Sequence, residues 1–150
     1  MITLDTNILA RAIVTEQDAD EATRLRQERA QTLLGSGEEL FVPITAIEEL
    51  EWVLRGAYDV PRETVAELLD DMLAVENLVV DRAAAVGQAV AWYRRGLDFS
   101  DALHLAQAGL FASLATFDAR FAKTARRLGL QPSVTLPGAG RLSGPRPATT

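Results

Sequence analysis

Short runs of apolar and β-branched residues alternate with longer segments of helical periodicity along most of this 150-residue chain. This alternation is typical of parallel strands joined by helices, because each crossover between parallel strands needs a connection long enough to hold one. We therefore predict an α/β fold, a three-layer α/β/α sandwich with a central parallel sheet of four to five strands. The predicted strands are residues 1–4, 40–42, 78–80, 114–117 and, as a possible last strand, 134–136.

The helix predicted from Thr45 to about Tyr58 carries three glutamates near its start. Thr45 and Glu48 have the spacing of a capping box, in which two side chains satisfy free N–H groups of the first turn. At about 100° per residue, Glu48 lies opposite the apolar face and is expected to be solvated. Glu49 and Glu51 flank that face on its two edges, so periodicity alone does not choose between them. The other predicted helices cover residues 7–15, 18–34, 65–75, 83–95, 100–111 and 121–128.

Composition limits the class of protein. With no Cys and a single His, disulfides, thiolate-bound zinc and sites that need two imidazoles are excluded. No segment approaches the roughly 18 apolar residues of a membrane span and no signal peptide is recognisable, so we expect a cytoplasmic protein with no membrane partner. Residues 137–150 are rich in Pro and Gly, which predicts a disordered tail after one domain of residues 1–136.

Acidic residues fall at matching places in this predicted fold. Asp5 ends the first strand, Asp118 ends the fourth, Asp101 begins a helix, and Glu49 lies in the first turn of another. Strand ends and the following helix starts share one edge of an open parallel sheet, so these acids are expected to meet there. Crowded carboxylates repel one another unless a hard divalent cation lies between them, and oxygen-only ligands suit Mg²⁺ or Mn²⁺.

Helix capping is the alternative explanation for these acids. Asp is a favoured N-cap residue, and Asp5, Asp98, Asp101 and Asp118 all lie within a residue or two of a predicted helix start. For any one of them, capping explains the position equally well. The net charge of −6 also argues, by itself, against a polyanionic partner.

Four segments, in order, resemble the PIN-domain ribonucleases and, within them, the VapC-type toxins of bacterial toxin–antitoxin pairs. The segments are LDTNILAR, TAIEELEWVLRGAY, FSDALHLAQA and LATFDARFAKTA. The resemblance runs from Met1 to about Leu136. It implies a PIN fold, with residues 1–136 as the PIN domain.

The resemblance assigns the family's acids to Asp5, Glu49, Asp101 and Asp118, and thereby favours Glu49 over Glu51. It implies a Mg²⁺-dependent endoribonuclease, with Mn²⁺ as the alternative, whose metal is held by these four residues. It also implies an RNA substrate, a cognate antitoxin protein and a homodimer. We expect the dimer interface on the third to fifth helices, which are apolar. Asp98 is an additional acid, which we interpret as a helix cap.

Five residues are candidates for auxiliary roles. Thr6, Asn7 and Thr116 stand beside the acids and are expected either to orient them or to form local turns. Arg11 is expected either to contact a substrate phosphate or to be solvated. Asp98, interpreted above as a helix cap, is the fifth candidate for an auxiliary role. The aromatic residues Trp52, Trp92 and Tyr93 are assigned to the core or to a subunit interface.

Two alternatives come from other functional classes. A signalling receiver would carry a phosphorylated Asp at a strand end, but it needs an acidic pair after the first strand and a Lys after a late strand. Here the first strand leads into Asp5-Thr6-Asn7, and Lys123 lies inside a predicted helix. The second alternative is a catalytically silent PIN binding module, against which the intact set of acids argues.

Overall fold

The computed structural model describes residues 1–109 and 112–138. In these residues the chain forms five short strands and seven helices. The strands are β1 (Ile2–Thr3), β2 (Leu40–Val42), β3 (Leu78–Val80), β4 (Leu114–Ala115) and β5 (Val134–Thr135). The helices are α1 (Thr6–Ile13), α2 (Glu21–Leu34), α3 (Ile44–Gly56), α4 (Arg62–Leu73), α5 (Ala83–Arg94), α6 (Phe99–Gln107) and α7 (Ala119–Leu128).

All strand pairs are parallel, which confirms the predicted α/β class. The strands β1, β2 and β3 form one sheet in that order, with Ile2 opposite Leu40 and Leu40 opposite Leu78. In the described residues β4 and β5 pair separately, with Leu114 opposite Val134. The prediction of one sheet of four to five strands is therefore wrong for this structure. Since β1, β4 and β5 have only two residues each, they offer few backbone groups for a continuous ladder.

The bounds of β2 and β3 are as predicted, whereas the start of α3 is not. The helix begins at Ile44 after Pro43, whose side chain offers no acceptor to the first turn. The predicted capping box of Thr45 and Glu48 is absent, because the helix already includes Thr45. Residues 139–150, which make up most of the predicted tail, lie outside the described residues, as does Phe111, the predicted end of α6.

The core is formed by the apolar faces of the helices against the strands. In α3, four apolar side chains are buried, and α5 packs closely on α6. Trp92 and Tyr93 are 8% and 1% exposed, in agreement with their assignment to the core. Trp52 is 73% exposed, so of the two predicted assignments, core or subunit interface, the core is excluded for this residue. No helix in the described ranges combines the length and apolar character that crossing a bilayer requires.

Arg62, at the start of α4, ties this helix to the end of α5. Its Nη2 donates to the carbonyl oxygens of Tyr93 and Leu97 at 2.8 and 2.9 Å. Its guanidinium carbon lies 3.9 Å from the centre of the Tyr93 ring. These contacts hold the turn that leads into α6, where Asp98 and Asp101 lie.

We expect Leu50→Ala to lower the free energy of unfolding by about 2–5 kcal/mol, because Leu50 is fully buried in the core and its removal leaves a cavity. Urea denaturation followed by circular dichroism measures the loss. Leu25→Ala is the matched control, since Leu25 is 44% exposed on α2 and should cost less than about 1 kcal/mol. Equal losses in the two variants would contradict this core.

Candidate functional site

Asp5 connects β1 to α1 at the carboxyl end of the parallel strands. It has an extended backbone and occupies the N-cap position of α1, but its side chain makes no capping hydrogen bond. Asp5 is also exposed. Capping therefore does not account for this carboxylate, which remains available to a ligand.

Glu49 on α3 lies in the same cleft as Asp5. The two line a small cavity of about 170 Å³ together with Thr6, Asn7 and Arg11. Thr6 is buried, and its Oγ1 donates to Glu49 Oε2 at 2.8 Å. The hydrogen bond holds the Glu49 carboxylate on the Asp5 side of α3.

Glu51, left open as an alternative by periodicity, has a different neighbour. The buried hydroxyl of Tyr93 on α5 donates to Glu51 Oε1 at 2.8 Å. Burial and this carboxylate raise the pKa of Tyr93 above its usual range. Glu51 therefore takes part in a hydrogen bond that connects α3 to α5.

A second group of acids consists of Asp98, Asp101 and Asp118, which line one cavity of about 430 Å³. Asp98 caps α6, since its Oδ1 accepts from the Asp101 N–H at 3.2 Å, as predicted. Asp118 caps α7, since its Oδ1 accepts from the Phe121 N–H at 3.0 Å. Each cap uses Oδ1, which leaves Oδ2 without a capping contact.

The pKa of the Asp101 carboxyl group lies above its ordinary value. Partial burial, followed by the nearby charges of Asp98 and Asp118, raises its pKa to about 6. His104 on the next turn of α6 opposes this shift weakly. A raised carboxyl pKa among like charges indicates a place where a cation would be bound favourably.

The two groups of acids are neighbours but do not converge on one point. Glu49 and Asp98 both line a third cavity, which includes Trp52 and Ser100. Among the described residues, no three acidic or His side chains have an arrangement that could hold a metal ion. The oxygen-only donors nevertheless fit a hard divalent cation in their chemistry.

The remaining auxiliary candidates, Thr116, Asn7 and Arg11, lie in a local turn or on the wall of the Asp5 cavity. Thr116 Oγ1 accepts from the Asp118 N–H at 3.0 Å, which is a local turn. Asn7 is exposed on the wall of the Asp5 cavity. Arg11 Nη1 pairs with Glu16 Oε1 at 3.2 Å and lines the same cavity.

The sequence did not predict two polar contacts near the site. Ser100 Oγ donates to the Glu48 carboxylate, and Glu48 is half-buried, so it is less solvated than expected. The reason is that α6 packs against α3, and periodicity within one helix does not reveal a second helix on its polar side. Arg62 lines the cavity of Asp98 and Asp101. The only signal for Arg62 in the sequence is its position directly after Pro61, at the start of a helix.

The fold and these acids define an α/β domain with an acid-lined crevice at the carboxyl edge of its parallel strands. A sequence model of the PIN domain matches residues 2–127. The chain therefore belongs to the PIN domain family, a nuclease-type fold. No curated protein and no solved structure matches it.

In buffer with EDTA at pH 7.5, we expect Asp101→Asn to raise the free energy of unfolding by roughly 1 kcal/mol, after allowance for solvent screening. A carboxyl whose pKa is raised in the folded state destabilises the fold when it is ionised, at pH values above about 6. As the pH falls through about 6 towards the ordinary pKa of 3.8, the folded wild type takes up a proton and recovers that stability.

Thermal denaturation from pH 4 to pH 8 tests this expectation. The advantage of Asp101→Asn should shrink towards zero at the acid end. Asp71→Asn, at an exposed position of α4, is the control and should show no such trend. A gain that is independent of pH would contradict the electrostatic cause.

Proposed function

We propose that this chain is a metal-dependent endoribonuclease that hydrolyses RNA phosphodiester bonds, with Mg²⁺ as the cation and Mn²⁺ as the alternative. One observation carries the proposal. In the described part of the chain, none of the carboxylates of Asp5, Glu49, Asp101 and Asp118 forms a salt bridge, although all four line adjoining cavities. Arg11, Arg62 and Arg120, all among the described residues, line the same cavities without forming a salt bridge to any of these four carboxylates, and a divalent cation bound between them would offset their mutual repulsion.

The residues would have different tasks. Asp5 and Glu49 from one side of the crevice and Asp101 from the other would hold the cation once the three carboxylates approach it more closely than they do in this structure. When bound, the cation would activate water and stabilise charge on the scissile phosphate. Thr6 would fix the direction of Glu49 through the hydrogen bond to Oε2. Asp118, with Oδ1 bound to the start of α7, has Oδ2 left to accept a hydrogen bond from the attacking water.

We further propose a role as the toxin of a VapC-type toxin–antitoxin pair. The support is the resemblance of the four sequence segments and the PIN family membership. An antitoxin segment with a basic side chain would bind favourably beside these carboxylates, because its positive charge would form charge-assisted hydrogen bonds with acids that have no salt-bridge partner among the described residues. A homodimer through α3 to α5 would also cover Trp52, which is 73% exposed.

We expect the purified protein to cleave labelled total RNA with Mg²⁺ or Mn²⁺ and to be inactive with EDTA. Asp5→Asn and Asp101→Asn should reduce cleavage to background. Thr6→Val should reduce the apparent metal affinity by about 10–100-fold, since it removes the partner of a ligating carboxylate. Gel electrophoresis of the RNA, with metal titration, measures both effects.

The control for these variants is Glu67→Gln, which removes one negative charge from an exposed position of α4 outside the residues that line the three acid-lined cavities. It should cleave as the wild type does. Cleavage in EDTA, or equal activity of Asp5→Asn and the wild type, would contradict the mechanism. Binding of RNA without cleavage would instead favour the silent PIN module.

The toxin role makes a separate prediction. Induced expression of the wild type in bacteria should arrest growth, whereas induced Asp5→Asn at the same protein level should not. Colony counts and immunoblots measure the two quantities. Unimpaired growth with an active nuclease would contradict the toxin role and leave the nuclease in place.

A further inference from the structure

A cavity of about 460 Å³ lies between α1 and α2, outside the acid-lined crevice. Three arginines line it: Arg11 from α1, and Arg26 and Arg29 from α2. Arg26 and Arg29 are three residues apart, so they project from the same face of the helix. The cavity also has an apolar floor, which includes Ile8 and Leu33.

The positive charge of this groove is only partly neutralised. Glu16 is engaged by Arg11 at 3.2 Å and by the Tyr58 hydroxyl at 3.4 Å. Asp20 lies near Arg11 and Arg26, but its Oδ1 accepts from the Thr23 N–H at 2.7 Å as the cap of α2. Within the described ranges, neither Arg26 nor Arg29 forms a salt bridge. Arg26 and Arg29 therefore concentrate positive charge on one helix face of a chain whose net charge is −6.

The arginine groove adjoins the acid-lined crevice. Asn7 and Arg11 line both the groove and the cavity that contains Asp5 and Glu49. These two residues are four apart on α1 and therefore form one ridge between the two cavities. A chain-like ligand with its reacting group at Asp5 can continue over this ridge towards Arg26 and Arg29.

We propose that the groove of Arg11, Arg26 and Arg29 binds backbone phosphates of a single-stranded RNA segment next to the scissile bond. This inference rests on the proposed nuclease function. Guanidinium groups match phosphate oxygens in geometry and charge, and the apolar floor suits a ribose or a base. An acidic peptide would also pair with the arginines. Its binding would not explain why the groove continues into the cavity of Asp5 and Glu49, whereas the binding of an RNA strand that is cleaved there does.

The test measures binding of fluorescein-labelled oligouridylate by fluorescence anisotropy, with Mg²⁺ and at several KCl concentrations. The protein carries Asp101→Asn so that the RNA stays intact. Arg26→Gln and Arg29→Gln should each weaken binding by about 3–10-fold and reduce the slope of log K against log salt by about 0.7. Arg24→Gln is the matched control: it removes the same charge from the opposite face of α2 and should change Kd by less than about twofold.

Kinetics in the otherwise wild-type enzyme provide a second readout. Arg26→Gln and Arg29→Gln should raise KM for oligouridylate with little change in kcat, since the groove binds ground and transition states alike. Equal effects of Arg24→Gln and Arg26→Gln would overturn the proposal, because net charge alone would explain them. Unchanged RNA binding together with lost binding of polyglutamate would also overturn it and would identify a protein-docking groove.

Failure of the groove and failure of the nuclease can be told apart. Cleavage by the wild type with unchanged oligouridylate binding in the arginine variants overturns the groove alone. Weakened binding in those variants, in a protein that does not cleave RNA with any metal, supports the groove and overturns the nuclease.

Discussion

The parallel direction of β1, β2 and β3 is the constraint on which the rest of the structure depends. The Leu4 N–H donates to the Phe41 carbonyl, and the Asp81 N–H to the Val42 carbonyl, so the pairing continues past each strand end in the same sense. Because all three strands point one way, every helix that follows a strand begins at one edge. The shared strand direction brings Asp5, at the start of α1, close to the start of α3. Thr6 and Glu49 therefore form a hydrogen bond although they are 43 positions apart in the sequence.

Helix starts also explain how a fold can tolerate several carboxylates in one region. Asp98 and Asp118 accept backbone hydrogen bonds at the beginnings of α6 and α7. The N–H groups and the positive end of the helix dipole offset part of the repulsion between them. Capping and ligand binding are therefore compatible roles for one side chain. Asp5 differs, because its side chain makes no capping hydrogen bond at the start of α1.

Local signals in the sequence were sufficient for β2, β3 and the acids at helix starts, since alternation, turn residues and capping act over a few positions. Contacts between distant elements were not accessible in this way. Periodicity within α3 could not distinguish Glu49 from Glu51, because the distinction depends on Thr6 and Tyr93 from other helices. For the same reason the sequence could not decide whether Trp52 lies in the core or at a subunit interface, and its 73% exposure excludes the core.

Backbone hydrogen bonding is interrupted between the two sheets: among the described strands, β1 to β3 form one ladder and β4 with β5 another. Asp5 and Glu49 follow strands of the first ladder, whereas Asp118 follows a strand of the second. Among the described residues no ladder hydrogen bond joins the two sides of the crevice, so their spacing depends on how the helices pack. A ligand that contacts both sides therefore adds a connection between the two sheets that the backbone ladders do not supply, and its binding is expected to stabilise the protein against unfolding.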